Sequence, residues 1–301
     1  MDVNSEVSAA ILQRIAQLPV LPELRAVLVD LVERDWNTET SAIQNGDSLQ
    51  TVLMLVYQEL GGADPVHLQP LLLAWHTLRA AILRLDHIQD DDPEVTASFG
   101  GATSTAERYN LTLTYYLLAT AMLDDLNEQY IPALRIRRLL RMWNESLLRA
   151  ASGQQRDLAN QGLCEQSQAA LEYYEQAIRA KAGSIYSIGF GGVAALATDD
   201  QAALQALSLV GELYGTLLQL NDDLLDAAIQ VAPALTLPHV YQSARAASGI
   251  ALPPHTAHHF ARLIFRTYFE HVSTIVAWLP VAAQEAILSI FRQSFPLIDA
   301  N

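Results

Sequence analysis

Three carboxylates fall within five residues of an otherwise apolar run, Gln219-Leu-Asn-Asp222-Asp223-Leu-Leu-Asp226. No Gly or Pro interrupts residues 216–231, so the run predicts a helix. On that helix Asp222 and Asp226 stand i,i+4, and Asp223 and Asp226 i,i+3, so all three share one side. Like charges on an apolar helix repel one another and lose hydration unless a cation joins them. A hard divalent ion such as Mg2+, with oxygen ligands and a phosphate co-ligand, answers that need. A solvated acidic helix end answers it equally well on this motif alone.

A second acidic stretch closes another apolar run, residues 68–88: Leu85-Asp86-His87-Ile88-Gln89-Asp90-Asp91-Asp92. Asp86 and Asp90 are again i,i+4. Two clusters, each ending a hydrophobic helix, suit a helical bundle that holds metal ions between them. At these residues the chain resembles the trans-isoprenyl diphosphate synthases (polyprenyl synthetases) and their terpene-cyclase relatives. The resemblance implies two Asp-rich motifs that bind three Mg2+ ions, which grip the diphosphate of an allylic prenyl substrate. Gln219 to Asp226 matches the second motif closely. Asp86 to Asp90 is similar to the first, Asp-Asp-x-x-Asp, with His87 in place of its second aspartate.

The 301 residues are 51% hydrophobic, enough for a large core, and no stretch reads as a linker, so one domain over 1–301 is expected. A net charge of −15 argues against nucleic acid and anionic membrane surfaces as partners. The single cysteine, Cys164, excludes an internal disulfide framework. The acidic start lacks a signal-peptide pattern, and no apolar run reaches the roughly 18 residues of a transmembrane helix. A cytoplasmic protein follows as the expectation.

In chain order the pattern is helical. A first helix is expected to about Leu18, stopped by Pro19 and Pro22, and a second over 23–35. Asn45-Gly46-Asp47-Ser48 reads as a turn, with Ser48 capping a helix over 49–60 that Gly61-Gly62 ends. Asp64-Pro65 restarts the chain, and Pro70 reads as a kink or a delayed start. A loop over 93–104 precedes a helix over 105–125; Pro132 opens another to about Ala151. Residues 165–197 are apolar and rich in small side chains. Asp199 or Asp200 can cap the helix that carries the second acidic motif. Helices near 237–247, 254–279 and 281–298 complete the chain. With no βαβ alternation, the class is all-α: a bundle of about ten or more helices around an apolar cavity, the isoprenoid-synthase type by resemblance.

The resemblance spans roughly residues 20–300. Gly153-Gln154-x-x-Asp157-Leu158 resembles the family's Gly-Gln-x-x-Asp-Leu helix, and Lys181-Ala182 its lysine site. This implies that Lys181 touches the allylic diphosphate, with Gln219 a further donor and Asp86, Asp90, Asp222, Asp223 and Asp226 the metal ligands. It implies catalytic roles for Asp86, Asp90, Asp222 and Lys181, and a homodimer. Other family features are missing. Gly46 to Thr51, where basic residues usually hold isopentenyl diphosphate, contains none. Residues 91–101 lack the usual arginines, and 227–241 have no lysine. A second diphosphate without cations would be costly to bind.

Three functions therefore remain open. The first is a prenyltransferase with an unusual acceptor. The second is a terpene cyclase on the same fold. The third is a non-catalytic partner subunit, which the altered first motif favours and the intact second motif opposes. Tyr115, Tyr116, Tyr186, Phe190 and Tyr214 are candidates to line a cavity and steady a carbocation with their ring faces, although core packing is the plainer reading. Asp91 and Asp92 read most simply as a solvated helix end. Arg135, Arg138 and Arg141, spaced i,i+3, read as a solvated or salt-bridged face. His255, His258 and His259 read as an exposed helix start.

Overall fold

The computed structural model describes residues 3–42, 44–89, 99, 104–127, 130–159, 169–228 and 256–299, and among these it contains helices and no β-strand. The helices are α1 (Val3–Gln17), α2 (Pro22–Ala42), α3 (Gln44–Glu59), α4 (Gln69–Gln89), α5 (Thr105–Leu123), α6 (Ala133–Ala159), α7 (Ala169–Ile178), α8 (Ser184–Ala197), α9 (Gln201–Ala228), α10 (Thr256–Val276) and α11 (Val281–Ser294). The all-α class read from the sequence is the one observed. No described helix is long and apolar enough to cross a membrane. The chain divides into two compact units: Met1–Met54 with Ala63–Ala133, and Leu55–Gly62 with Leu134–Asn301. Asp90, Cys164, His255, the region 237–247, and the loop 93–104 apart from Phe99 and Ser104 lie outside the described residues.

In the first unit α4 packs on α5 and on α1, and α1 on α2. Leu71, Leu72, Trp75 and Leu78 lie at helical spacing on α4 and are buried, as are Leu111, Leu118 and Met122 of α5. Each such side chain contributes about 1.5–3 kcal/mol by leaving water. Both helices start at side-chain caps. Asp64 Oδ1 accepts from the Val66 N–H at 2.9 Å and opens a 3-10 turn, Pro65–Leu68. The α-helix follows at Gln69, so Pro70 sits in a delayed first turn. Ser104 and Glu107 form a reciprocal capping box at the start of α5. At the far end of α5 the Arg14 guanidinium donates to the Ala121 carbonyl at 3.1 Å and pairs with Asp125 at 3.4 Å.

His76, on α4, gives this unit an acid sensitivity. Burial, with the Arg79 charge near it, pushes its pKa from 6.5 down to about 3. Between those values the unfolded chain binds a proton that the folded chain refuses, so stability is lost as pH falls through that window. His76→Gln should flatten the fall in unfolding free energy between pH 7 and pH 4.5, measured by urea denaturation. A wild-type slope in the variant would remove His76 as the cause.

Three expected boundaries are corrected. Helix α2 runs on to Ala42 rather than ending at 35. The turn expected at Asn45-Gly46-Asp47-Ser48 is helical, because α3 begins at Gln44. A glycine in a helix costs only about 1 kcal/mol, less than the burial of Leu49, Leu53 and Val56 on the same helix returns. Helix α6 runs on to Ala159 rather than stopping near Ala151. The end of α3 is as read. Gly61 has φ +91, its N–H bonds the Gln58 carbonyl at 3.0 Å, and the Gly62 N–H bonds that of Tyr57 at 2.9 Å, a Schellman stop that favours glycine.

In the second unit α8 packs on α9, α10 on α9 and on α11. Almost every residue of α8 is buried. Its C-terminal carbonyls would be left without partners but for two arginines of α6. Arg135 donates to Ala197 O at 2.6 Å and Leu196 O at 3.3 Å, and grips the Asp199 carboxylate at 2.9 Å through two nitrogens. That hydrogen-bonded guanidinium holds the Asp199 carboxyl below its usual range. Arg138 donates to Ala195 O at 2.7 Å and to Thr198 O. The basic stripe is thus partly a salt-bridged face and partly a helix cap. Asp200 is left to cap α9, accepting from the Ala202 N–H at 2.8 Å.

Candidate functional site

Helix α9 places Gln219 about one turn, and Asp222 and Asp223 about two turns, beyond Gly215. Asp222 is exposed, whereas Asp223 is 5% exposed. Both oxygens of Asp223 are engaged: the Tyr174 hydroxyl of α7 donates to Oδ2, and the Gln219 amide donates to Oδ1 at 3.1 Å. The Asp226 backbone continues the helix, and its side chain is outside the described set.

Lys181 does not sit on a regular helix. Residues Arg179–Gly183 form a π-helical turn between α7 and α8, a local widening that recurs at functional sites. The Lys181 ammonium is 2.8 Å from Asp157 Oδ2, with the lysine side chain 12% exposed. Two glycines let this turn sit where it does. A Cβ on Gly153 of α6 would lie 2.3 Å from the Lys181 backbone nitrogen and 2.8 Å from the Ala177 carbonyl oxygen. A Cβ on Gly215 of α9 would lie 2.6 Å from the Ala182 carbonyl oxygen. Backbone meets backbone at both places, so the turn is wedged between α6 and the α9 face that carries Gln219 one turn further on. Beside it Arg179 donates to Glu212 at 2.6 Å, and Arg149 reaches the same carboxylate at 2.9 Å. This pairing neutralises the α9 carboxylate nearest the turn and leaves Asp222 as an exposed acid further along.

In the first unit Asp86 and His87 are half-buried in the last turn of α4. One turn earlier Arg84 is buried, with its guanidinium 4.5 Å over the ring of Tyr115 and an N–H to Ala80 O at 3.1 Å. Tyr115 therefore already faces a cation of the protein itself. Tyr116 is half-buried beside it. Tyr186, Phe190 and Tyr214 converge in the second unit. Tyr214 is the hub, with ring centroids 5.3 Å from Tyr186, 6.0 Å from Phe190 and 5.1 Å from both Phe291 and Phe295. Its hydroxyl is fixed 2.7 Å from Ser294 Oγ. These contacts are those of a packed aromatic core. Among the described residues no group of three or more His, Cys, Asp or Glu is close enough to hold a metal ion.

Comparison with known proteins fixes the family. The polyprenyl synthetase family matches residues 38–232. The chain is a member of the polyprenyl synthetase family. Prenyl transfer is the activity that this membership and the fold support. Solved structures with the same fold include the geranylgeranyl pyrophosphate synthetase of the archaeon Geoglobus acetivorans, with a TM-score of 0.74 and 19% identity over 99% of this chain and 97% of that one. The geranylgeranyl pyrophosphate synthase of Lactobacillus brevis follows with 0.73 and 15% identity, over 97% and 95%. The heptaprenyl diphosphate synthase of Staphylococcus aureus gives 0.69 and 12% identity, over 96% of each chain. No curated protein sequence matches the chain.

Sequence reasoning singled out this member's Lys181, Gln219 and acidic motifs, and missed two partners. Tyr174 carries no local mark that separates it from Tyr173. Asp157 was visible as part of a motif, while its pairing with Lys181 depends on the π turn, which no residue pattern announces.

Proposed function

We propose that the chain is a Mg2+-dependent prenyltransferase that takes its prenyl group from an allylic prenyl diphosphate and delivers it to an acceptor other than isopentenyl diphosphate. The observation that carries this is the Lys181 turn seated against the acidic face of α9, beside a sequence that has lost the basic residues for a second diphosphate. The donors available are carboxylate and amide oxygens, a hard set suited to Mg2+. In the second unit Asp222 and Asp226 are the carboxylates proposed to hold it, and in the first unit the sequence motif gives Asp86 and Asp90 the same proposed role. Bound there, the ion would stabilise negative charge on a departing diphosphate.

The residues of the chain divide the remaining work. Lys181 turns from Asp157 toward a diphosphate oxygen and adds a charge-assisted hydrogen bond. As the allylic C–O bond breaks, its electron pair stays with the diphosphate, where Lys181 meets the growing charge. The allylic cation is then attacked by the acceptor, which gives up a proton as the new bond forms. The missing basic residues at 46–51 and 91–101 favour one other reading, a class I terpene cyclase, which needs only the metal-bound diphosphate.

Incubation of the protein with Mg2+ and geranyl, farnesyl or geranylgeranyl diphosphate, each with and without isopentenyl diphosphate, tests these readings by mass spectrometry. The expected result is slow release of diphosphate with no longer diphosphate formed, and a prenylated product once a suitable acceptor is added. A longer diphosphate only with isopentenyl diphosphate would overturn the unusual acceptor. A hydrocarbon product without any acceptor would establish the cyclase.

A further inference from the structure

Two adjacent aspartates of the second motif are in opposite environments. Asp222 is exposed, while Asp223 is buried and bonded at both oxygens. Its partner Tyr174 is 2% exposed and belongs to α7, the helix that leads directly into the π turn of Lys181. A buried carboxylate is costly unless hydrogen bonds replace its hydration, and here a phenol and an amide do so. These bonds have a mechanical consequence. They tie α9 to α7 one residue after Asp222. A tie at that place restrains rotation of this part of α9 about its own axis, and with it the direction in which Asp222 projects.

We propose that Tyr174 is a positioning residue acting through Asp223, and that Asp223 anchors the motif rather than ligating a metal. The division follows from the bonding. Asp223 is buried and both its oxygens accept bonds, from Tyr174 and Gln219, while Asp222 lies at the exposed surface where a cation can reach it. The inference rests on the proposed reading of α9 as a metal and diphosphate site. It assigns a different role to a residue that motif matching alone counts among the ligands. It also gives the α7–π-turn segment a second duty. The same short piece of chain positions Lys181 through its turn and Asp222 through Tyr174, so the cationic and the anionic partners of a diphosphate are set by one element.

The test is a titration with Mn2+ as the metal probe in the presence of inorganic diphosphate, followed by electron paramagnetic resonance. The proteins compared are the wild type, Asp222→Asn, Asp223→Asn and Tyr174→Phe. Asp223→Asn removes the charge and keeps one carbonyl oxygen to accept from Tyr174, while its NH2 meets the Gln219 side chain, whose amide turns to present its own oxygen. An anchoring role predicts Mn2+ affinity within about 3-fold of wild type for it, against a loss of at least ~100-fold in Asp222→Asn. Tyr174→Phe should retain the fold by circular dichroism and weaken Mn2+ binding about 10-fold, the lower end for losing a residue that orients a ligand. It should act on the half-saturating Mg2+ concentration more than on kcat at saturating metal, a split that a merely structural role would not produce. A loss in Asp223→Asn equal to that in Asp222→Asn would overturn the proposal by making Asp223 a direct ligand. Wild-type affinity in Tyr174→Phe would overturn it by removing the tie. Failure of the underlying reading has a different signature: no diphosphate-dependent Mn2+ binding in the wild type, which would sink both.

Discussion

Asp222→Ala is expected to lower kcat/KM for diphosphate release from an allylic prenyl diphosphate by at least ~10³-fold, about 4 kcal/mol of lost transition-state stabilisation. The argument starts from exposure. Asp222 is a solvent-facing acid of α9, so deleting its carboxylate opens no cavity in the core. Exposed substitutions of this kind change folding stability by roughly 0.5 kcal/mol or less. A large kinetic loss at constant stability therefore reports on metal or diphosphate binding rather than on folding. Asp86→Ala at the end of α4 should behave in the same way if both motifs serve one reaction. The check is a Mg2+ titration of initial rates beside thermal melts of the same preparations. Wild-type rates in Asp222→Ala would remove the second motif from the mechanism and, with it, the proposed function.

Gly153→Ala is expected to destabilise the chain by about 1–3 kcal/mol, the range for forcing extra volume into a packed interior. The methyl group would enter at 2.3 Å from the Lys181 nitrogen and 2.8 Å from both Ala177 O and Ala180 C. All three are backbone atoms, so no side chain can rotate aside, and relief requires α6 and the π turn to separate. Separation moves Lys181 away from Asp157 and from the α9 face. Misplacing a catalytic group by about 1 Å can cost ~100-fold in rate. Thermal melting and kcat/KM on one sample check both effects. Loss of stability with full activity would mean that the turn relaxes without carrying Lys181; no change in either would contradict the close approach itself.

The helices were legible because burial on a helix leaves a period in the sequence. Leu71, Leu72, Trp75 and Leu78 write that period into α4, and Gly61 marks the end of α3 with a conformation other residues resist. Where local signals compete with burial the reading was less secure. Asn45 to Ser48 carries turn residues and is helical, because the apolar face that follows outweighs one glycine. Of the candidate site, Asp222, Gln219 and Lys181 stood out by their chemistry. The roles of Arg135 and Arg138 did not. Their charge suggested a solvated or paired face, and the carbonyl oxygens they cap belong to residues about 60 positions away.

The sequence alone determined the all-α class, the family and the acidic and basic groups available for chemistry, since these depend on periodicity and residue type along a local stretch. Tertiary structure alone decided what those groups are free to do. Asp222 and Asp223 are chemically identical neighbours, and only the approach of Tyr174 from α7 makes one an anchor and leaves the other exposed. The π turn is of the same kind. Nothing in the residues from Arg179 to Gly183 marks a widened turn, and it sits where Gly153 and Gly215 let two other helices close on it. Hydrogen bonding and close packing act between residues distant in the chain, so neither leaves a mark in the local sequence.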